Sequence, residues 1–188
     1  MYGLAPRNSS AARPQVEFDI SEVAVNKDKK ALPRRLPDFR TVTIPSADDE
    51  LHPMSYFLAK TEPASYSIDQ LEHDRTTLWD GVTNPQAVRA LREMKPGDIL
   101  FIYHSEGRSA IVGWARVVSE ARDDPKQPKS VLVEIAYGGR VEPPVTLAEI
   151  KQSSLFGDWA LVRQGRLSTM RVPDEAVTWL RKLRPGLP

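Results

Sequence analysis

Apolar and polar positions divide the chain unevenly. From residue 1 to 53 hydrophobic side chains are sparse and follow no sustained period, apart from a short run between Phe18 and Val25. After Met54 the pattern sharpens. Ser55 to Thr61 reads as a strand ended by Glu62-Pro63, and Ser67-Ile68-Asp69-Gln70 has the form of a capping box opening a short helix through Leu71 to His73. Ala87, Val88, Leu91 and Met94 recur on one helical face. Asn84-Pro85 supplies the start of that helix and Lys95-Pro96-Gly97 its stop. Trp79 to Val82 then becomes a loop feeding the helix, with Gly81 free to let backbone approach a neighbour.

Further along, Asp98 to His104 is almost wholly apolar, as in a strand covered on both faces. Ser109 to Val118 pairs with it as a hairpin across the turn at Ser105 to Arg108. Val131, Val133, Ile135 and Tyr137 alternate as one side of a half-buried strand that Gly138-Gly139 is expected to break. A second capping box, Thr146 to Glu149, opens a short helix. Leu161 to Met170 reads as paired short strands around Gly165. Pro173 to Leu183 reads as an amphipathic helix whose last turn carries Arg181 and Lys182, where the helix dipole favours cations. Short strands with helices inserted between them define an α+β domain with a small curled sheet or barrel.

Composition refines this division. Six of the sixteen prolines and none of the four tryptophans fall in residues 1–53, whose eight basic and eight acidic side chains cancel. That stretch is expected to be a mostly disordered extension, with Met54 as an alternative start and 54–188 as the folded domain. No apolar run reaches bilayer-spanning length, and no membrane partner is expected. With 26 basic against 25 acidic residues, the formal charge of +1 excludes a protein that grips nucleic acid mainly through bulk phosphate neutralisation. Cysteine is absent, which removes disulfides, thiolate nucleophiles and Cys-based zinc sites. His52, His73 and His104 are scattered without metal-ligand spacing, and no serine sits in a nucleophile-elbow context. No metal, no cofactor and no catalytic residue is expected, and the protein is expected to act as a monomer.

Trp79 either plugs the core or serves as an aromatic plate beside the N–H groups of the following helix; the local sequence accommodates both. Four segments taken together decide the resemblance: Lys60-Thr61-Glu62-Pro63, Trp79 to Ala87, Phe101 to Ser105, and Leu161 to Ser168. In this order they resemble an EVE domain, a PUA-like family related to the YTH domains, over about residues 54 to 184. Phe57 stands where the family has Trp, Thr61 where it has Ser, and Thr83 and Pro85 where it has Arg and Tyr. Trp79, Asp80, Gly81, Val82, Asn84, Gln86 and Ala87 match.

The resemblance implies a PUA-like pseudobarrel of short, mostly antiparallel strands with inserted helices. It also implies one deep pocket that reads a modified base, such as methylated or hydroxymethylated cytosine, in DNA in preference to RNA. Unstacking a base costs a few kcal/mol, and stacking on an aromatic ring returns about 1–3 kcal/mol. On this reading Trp79 is the plate, Tyr103 or Phe57 the second wall, and Gly81 and Val82 the adjoining backbone. Lys60, Thr61, Glu62 and Asn84 meet the base edge. His104 and Ser105 face the same cavity, and Arg163 and Arg166 hold flanking phosphates. Two other functions compete: an RNA-binding module acting on tRNA or rRNA, and a nucleotide-processing enzyme. The expected location is the cytoplasm, at the nucleoid, or the nucleus in a eukaryotic cell.

Overall fold

The computed structural model describes residues 53–188. Apart from Pro53, the expected disordered extension lies outside the described residues. The described elements run β1 (Tyr56–Thr61), α1 (Ile68–Asp74), β2 (Thr76–Val82), α2 (Pro85–Glu93), β3 (Ile99–His104), β4 (Ala110–Val117), β5 (Arg122–Asp123), β6 (Val131–Thr146), α3 (Leu147–Gln152), α4 (Ala160–Arg163), β7 (Thr169–Arg171) and α5 (Asp174–Leu183). The strands form one mixed sheet ordered β2-β6-β4-β3-β1-β7, with β5 on β6, curled into a half-barrel. Among the described residues only β1 and β3 pair in parallel, because α1, β2 and α2 form the crossover between them. The α+β class and its antiparallel bias are those read from the sequence.

Burial follows from position in the sheet. β3 lies between β4 and β1, and its first five residues are buried, as its unbroken apolar run predicted. β1 lies between β3 and β7 and buries its first four residues, so both of its faces are covered. A buried carboxylate joins the starts of these two strands. Asp98 accepts the Ser55 N–H at 2.8 Å and the Lys95 N–H at 2.9 Å, which satisfies backbone donors that burial would otherwise strand.

Three elements depart from the sequence reading. Trp79 to Val82 is strand, not loop: Trp79 pairs with Val133 and Val82 with Val131, so Asp80 and Gly81 oppose the single residue Leu132. This is a β-bulge, and Gly81 takes the positive φ of +73° that a bulge glycine supplies. Gly138-Gly139 does not end its strand either; β6 runs on for sixteen residues. The two glycines lie under the indole of Trp114, where a Cβ on Gly138 would come within 2.2 Å of the ring. They mark a close approach across the sheet. The register between β4 and β6 slips between the Ile111–Val145 and Gly113–Arg140 pairs, so Pro143 and Pro144 fall where the ladder is already interrupted. Finally, residues 160–163 form a helical turn rather than a strand, and only Thr169–Arg171 pairs, with β1.

Both capping boxes are present: Ser67 with Gln70, and Thr146 with Glu149. The first helix has an additional tie. The Ile68 N–H donates to His104 Nε2 at 3.2 Å, joining the start of α1 to the end of β3. Only a neutral imidazole accepts that bond. Burial holds the His104 pKa below its ordinary value, and the nearby Asp69 charge opposes the shift.

Two outcomes test this frame. Gly138→Ala should lower unfolding stability by about 1–3 kcal/mol through overpacking against Trp114, whereas Gly157→Ala, which has open space around the added methyl, should change it little; urea melts compare them. The depressed His104 pKa makes the imidazole contribution intact above about pH 6.5, the unfolded value, and progressively lost as pH falls below it. The protection factor of the Ile68 amide should therefore drop between pH 7 and 5.5, and His104→Gln should flatten that response. Titration of His104 at or above its ordinary value, followed by NMR, would contradict it.

Candidate nucleic-acid site

The bulge governs the geometry of a broad cleft beside β2. Along β2, Leu78 is exposed and Trp79 buried; the one extra residue of the bulge resets the alternation, so Val82 is buried three positions after Trp79. Both side chains thereby reach the core, while Asp80 and Gly81 stand exposed above it. Two residues on, Asn84 caps α2. Its Oδ1 accepts the Gln86 N–H at 2.9 Å and the Ala87 N–H at 3.4 Å, and Pro85 occupies the first turn. With the side-chain oxygen committed to the helix, the Asn84 amide nitrogen is the group left to donate to a ligand.

The cleft beside this segment has a volume of about 860 Å³, within the range of small-molecule sites. Of the residues proposed from sequence, Lys60, Thr61 and Trp79 line it, together with Gly81, Val82, Asn84 and Arg166. Ser65, Tyr66, Thr77, Leu78, Asp80, Thr83 and Ser168 line it as well. Asp80 and Thr83 belong to the central block already singled out, and Ser168 ends the last one. Tyr66 carried only a weak signal, an aromatic residue between a turn and a capping box. The departure from the family pattern at Thr83 therefore falls on the cleft wall itself, whereas Pro85 acts in the helix start.

Other expectations are corrected. Phe57 is fully buried, in a strand covered on both faces, and makes no wall; its ring lies 5.8 Å from the Arg171 guanidinium carbon. Tyr103 is 3 % exposed and does not line the cleft. Its ring lies 5.9 Å beneath the Lys60 ammonium, and burial raises its pKa. His104 is occupied by the α1 amide and does not line the cleft. Arg163 ends α4, pairs with Asp158 at 3.0 Å and does not line the cleft that Arg166 lines. Glu62 and Ser105 line a smaller cavity of about 420 Å³ instead of the main cleft.

Trp79 itself is only 9 % exposed. Most of the indole packs into the core, so the plug and the plate are one residue: its buried face holds the sheet and a narrow margin meets the cleft. Tyr66 is the second aromatic residue on the wall. Its hydroxyl donates to Asp74 at 3.0 Å, and its carbonyl receives the Thr61 hydroxyl at 2.9 Å.

Lys60 has a more structural role than its sequence context implied. Nζ donates to the carbonyls of Gln164 at 3.3 Å and Gly165 at 3.1 Å, fixing the turn that carries Arg166. The Lys60 N–H bonds Ser168 O at 2.7 Å, so both strand and turn are held from one residue. Partial burial lowers the Lys60 pKa. An ammonium has three N–H donors; two are occupied, and one remains for a ligand.

Among the described residues no group of three or more His, Cys, Asp or Glu side chains is arranged to hold a metal ion, and no helix is long and apolar enough to cross a membrane.

Comparison with known proteins places this architecture. Thymocyte nuclear protein 1 of Danio rerio is 30 % identical over 174 residues, covering 72 % of this chain and 75 % of that protein. The Homo sapiens protein of the same name is 33 % identical over 125 residues, and the match spans about half of each chain, 52 % and 56 %. Among solved structures, a Rhodopseudomonas palustris protein superposes with a TM-score of 0.66 at 34 % identity, covering 72 % of this chain and 96 % of its own. Human THYN1 in complex with 5-methylcytosine-containing DNA superposes with a TM-score of 0.64 at 26 % identity, covering 71 % and 99 %. These neighbours share the PUA-like half-barrel. The EVE domain family model matches residues 55–183, and the chain belongs to that family.

Proposed function

We propose that the protein is a non-enzymatic reader of a modified base in DNA, which it admits to the cleft between the Trp79–Asn84 segment and the Lys60–Arg166 wall. One observation carries the reading. The segment that builds the cleft is the bulged strand and helix cap of an EVE domain, the fold that human THYN1 uses in a complex with 5-methylcytosine-containing DNA. A planar base sliding into the cleft meets Tyr66 and the margin of Trp79, with the Asn84 amide and the third Lys60 N–H as donors to its polar edge.

Magnitudes limit how the modification is sensed. Burying one methyl group yields about 0.8 kcal/mol, roughly fourfold in affinity. Stronger discrimination requires that the methyl fill a space which an unmodified ring leaves empty, beside Val82 and Leu78. The base must also leave its stack, so an unpaired strand is the easier target. The protein acts where such DNA lies: in the nucleus of a eukaryotic cell, at the nucleoid otherwise.

Fluorescence polarisation tests the proposal with single-stranded oligonucleotides that differ only in one methylated, hydroxymethylated or plain cytosine, and with structured RNA as competitor. The full chain should prefer a modified strand, and tRNA should compete poorly. Equal affinity for modified and plain strands would sink the reading; efficient displacement by tRNA would favour an RNA-binding module. Turnover of any nucleotide in a panel would favour an enzyme.

Trp79→Ala is a poor probe, since truncating a core indole costs about 3–5 kcal/mol of stability. Asn84→Asp keeps a capping oxygen and removes the amide donor; it should weaken binding about tenfold or more with little change in thermal midpoint. Tyr66→Ala, at a half-buried ring, should cost binding about 1–3 kcal/mol.

A further inference from the structure

The smaller cavity adjoins the main cleft, and the two share a wall. The shared residues are Lys60, Thr61, Ser65, Arg166 and Ser168. Two cations and the Ser65 and Ser168 hydroxyls in one strip form a donor set for an oxyanion, while the Thr61 hydroxyl is already given to the Tyr66 carbonyl. In a nucleic acid strand, the group that links one nucleoside to the next is an anionic phosphodiester. A wall of this chemistry, with a cavity on either side, matches a dinucleotide step: base, phosphate, base.

The far side of the smaller cavity differs in character. Glu62 lines it, and its carboxylate makes no hydrogen bond or ion pair among the described residues; its backbone carbonyl alone is engaged, by Ser65 and Tyr66 N–H at 2.9 and 3.0 Å. Arg166 is exposed and likewise forms no ion pair among them, unlike Arg163, which Asp158 holds. A carboxylate only accepts hydrogen bonds. Cytosine and adenine present exocyclic amines that donate to it, whereas thymine has no amine and flanks its single N3–H donor with the O4 and O2 acceptors, which face the carboxylate oxygen against oxygen.

We propose that the smaller cavity is a second nucleotide subsite: it seats the base adjoining the modified one, Arg166 holds the phosphate between them with the Lys60 charge beside it, and Glu62 selects cytosine or adenine over thymine at that neighbour. The protein then reads a modified base in sequence context. This rests on the base-reading function proposed above, and it adds a specificity residue on the opposite side of the cation wall. Its polarity is one-sided, because the cavity lies on one side of the cleft only.

Full-length protein titrated with single-stranded oligonucleotides tests it. Each carries one 5-methylcytosine, and the neighbouring base is changed among dC, dA and dT, first on one side and then on the other. The expected result is a preference of roughly tenfold for dC or dA over dT on one side alone, typical of a charge-assisted hydrogen bond gained or lost. Glu62→Ala should erase that preference while keeping the preference for methylated over plain cytosine. Arg166→Ala should weaken all the strands about equally and flatten the salt dependence. Indifference to the neighbour on both sides, or a preference that survives Glu62→Ala, would overturn the subsite and leave base reading standing. Loss of methyl discrimination in every context with wild-type protein would strike the underlying function instead.

Discussion

The structure turns on the two-against-one pairing of Asp80 and Gly81 opposite Leu132. A regular strand would place Trp79 and Val82 on opposite faces, since side chains alternate with period two. The extra residue brings both to the buried side and bends the chain outward between them. Without it the indole or the valine would lose its place in the core, and Asn84 would not arrive where it caps α2. Core packing, helix start and cleft wall are therefore set by one local irregularity. Trp79 is mostly buried for this reason. The residue that forms the wall is held in place by the core it helps to fill, so the site is rigid before any ligand arrives, which reduces the ordering cost of binding.

The opposite wall is built by a different device. Lys60 stands on a central strand, over the ring of Tyr103, and donates to two carbonyls of the 164–165 turn. A cation half-removed from water is costly unless its donors are used; two carbonyls and an aromatic face offset that cost and fix the turn in return. Arg166 rides on the turn. The result is a positively charged strip positioned by the sheet rather than by a flexible loop. Around it, Thr61 reaches Tyr66, and Ser105 reaches Thr61, so the hydroxyls follow strand ends as well.

Much of this was legible in the residues. Capping boxes and the Asn84-Pro85 start are local chemistry, complete within four residues, and they formed where expected. The apolar run of β3 announced its burial. The bulge was not legible, because Asp80-Gly81 reads locally as a turn and only the partner strand distinguishes the two. Gly138-Gly139 misled for the same reason: the indole that requires those glycines lies on β4, more than twenty residues away. Phe57 and Tyr103 suit a base by their rings, but their strands are covered on both faces, a property of sheet order. Tyr66 carries only a weak signal, since no pattern brings a turn residue to a cleft until α1 is docked. Family resemblance located the segments, and tertiary contacts decided which side chains in them face solvent.

Charge balance then constrains how such a site works. Arg92, Arg140, Arg163 and Arg184 are each held by carboxylates, and over the whole chain 26 basic side chains face 25 acidic ones. A protein whose charges balance this closely gains little non-specific affinity for nucleic acid, and its binding depends weakly on salt. Affinity must come from what enters the cleft. That favours selectivity: a strand whose base stays stacked meets only the Lys60–Arg166 strip, whereas a strand that surrenders a base gains stacking, donors and apolar contact at once. Weak grip on the backbone is therefore what lets a small difference at one ring decide whether the complex forms.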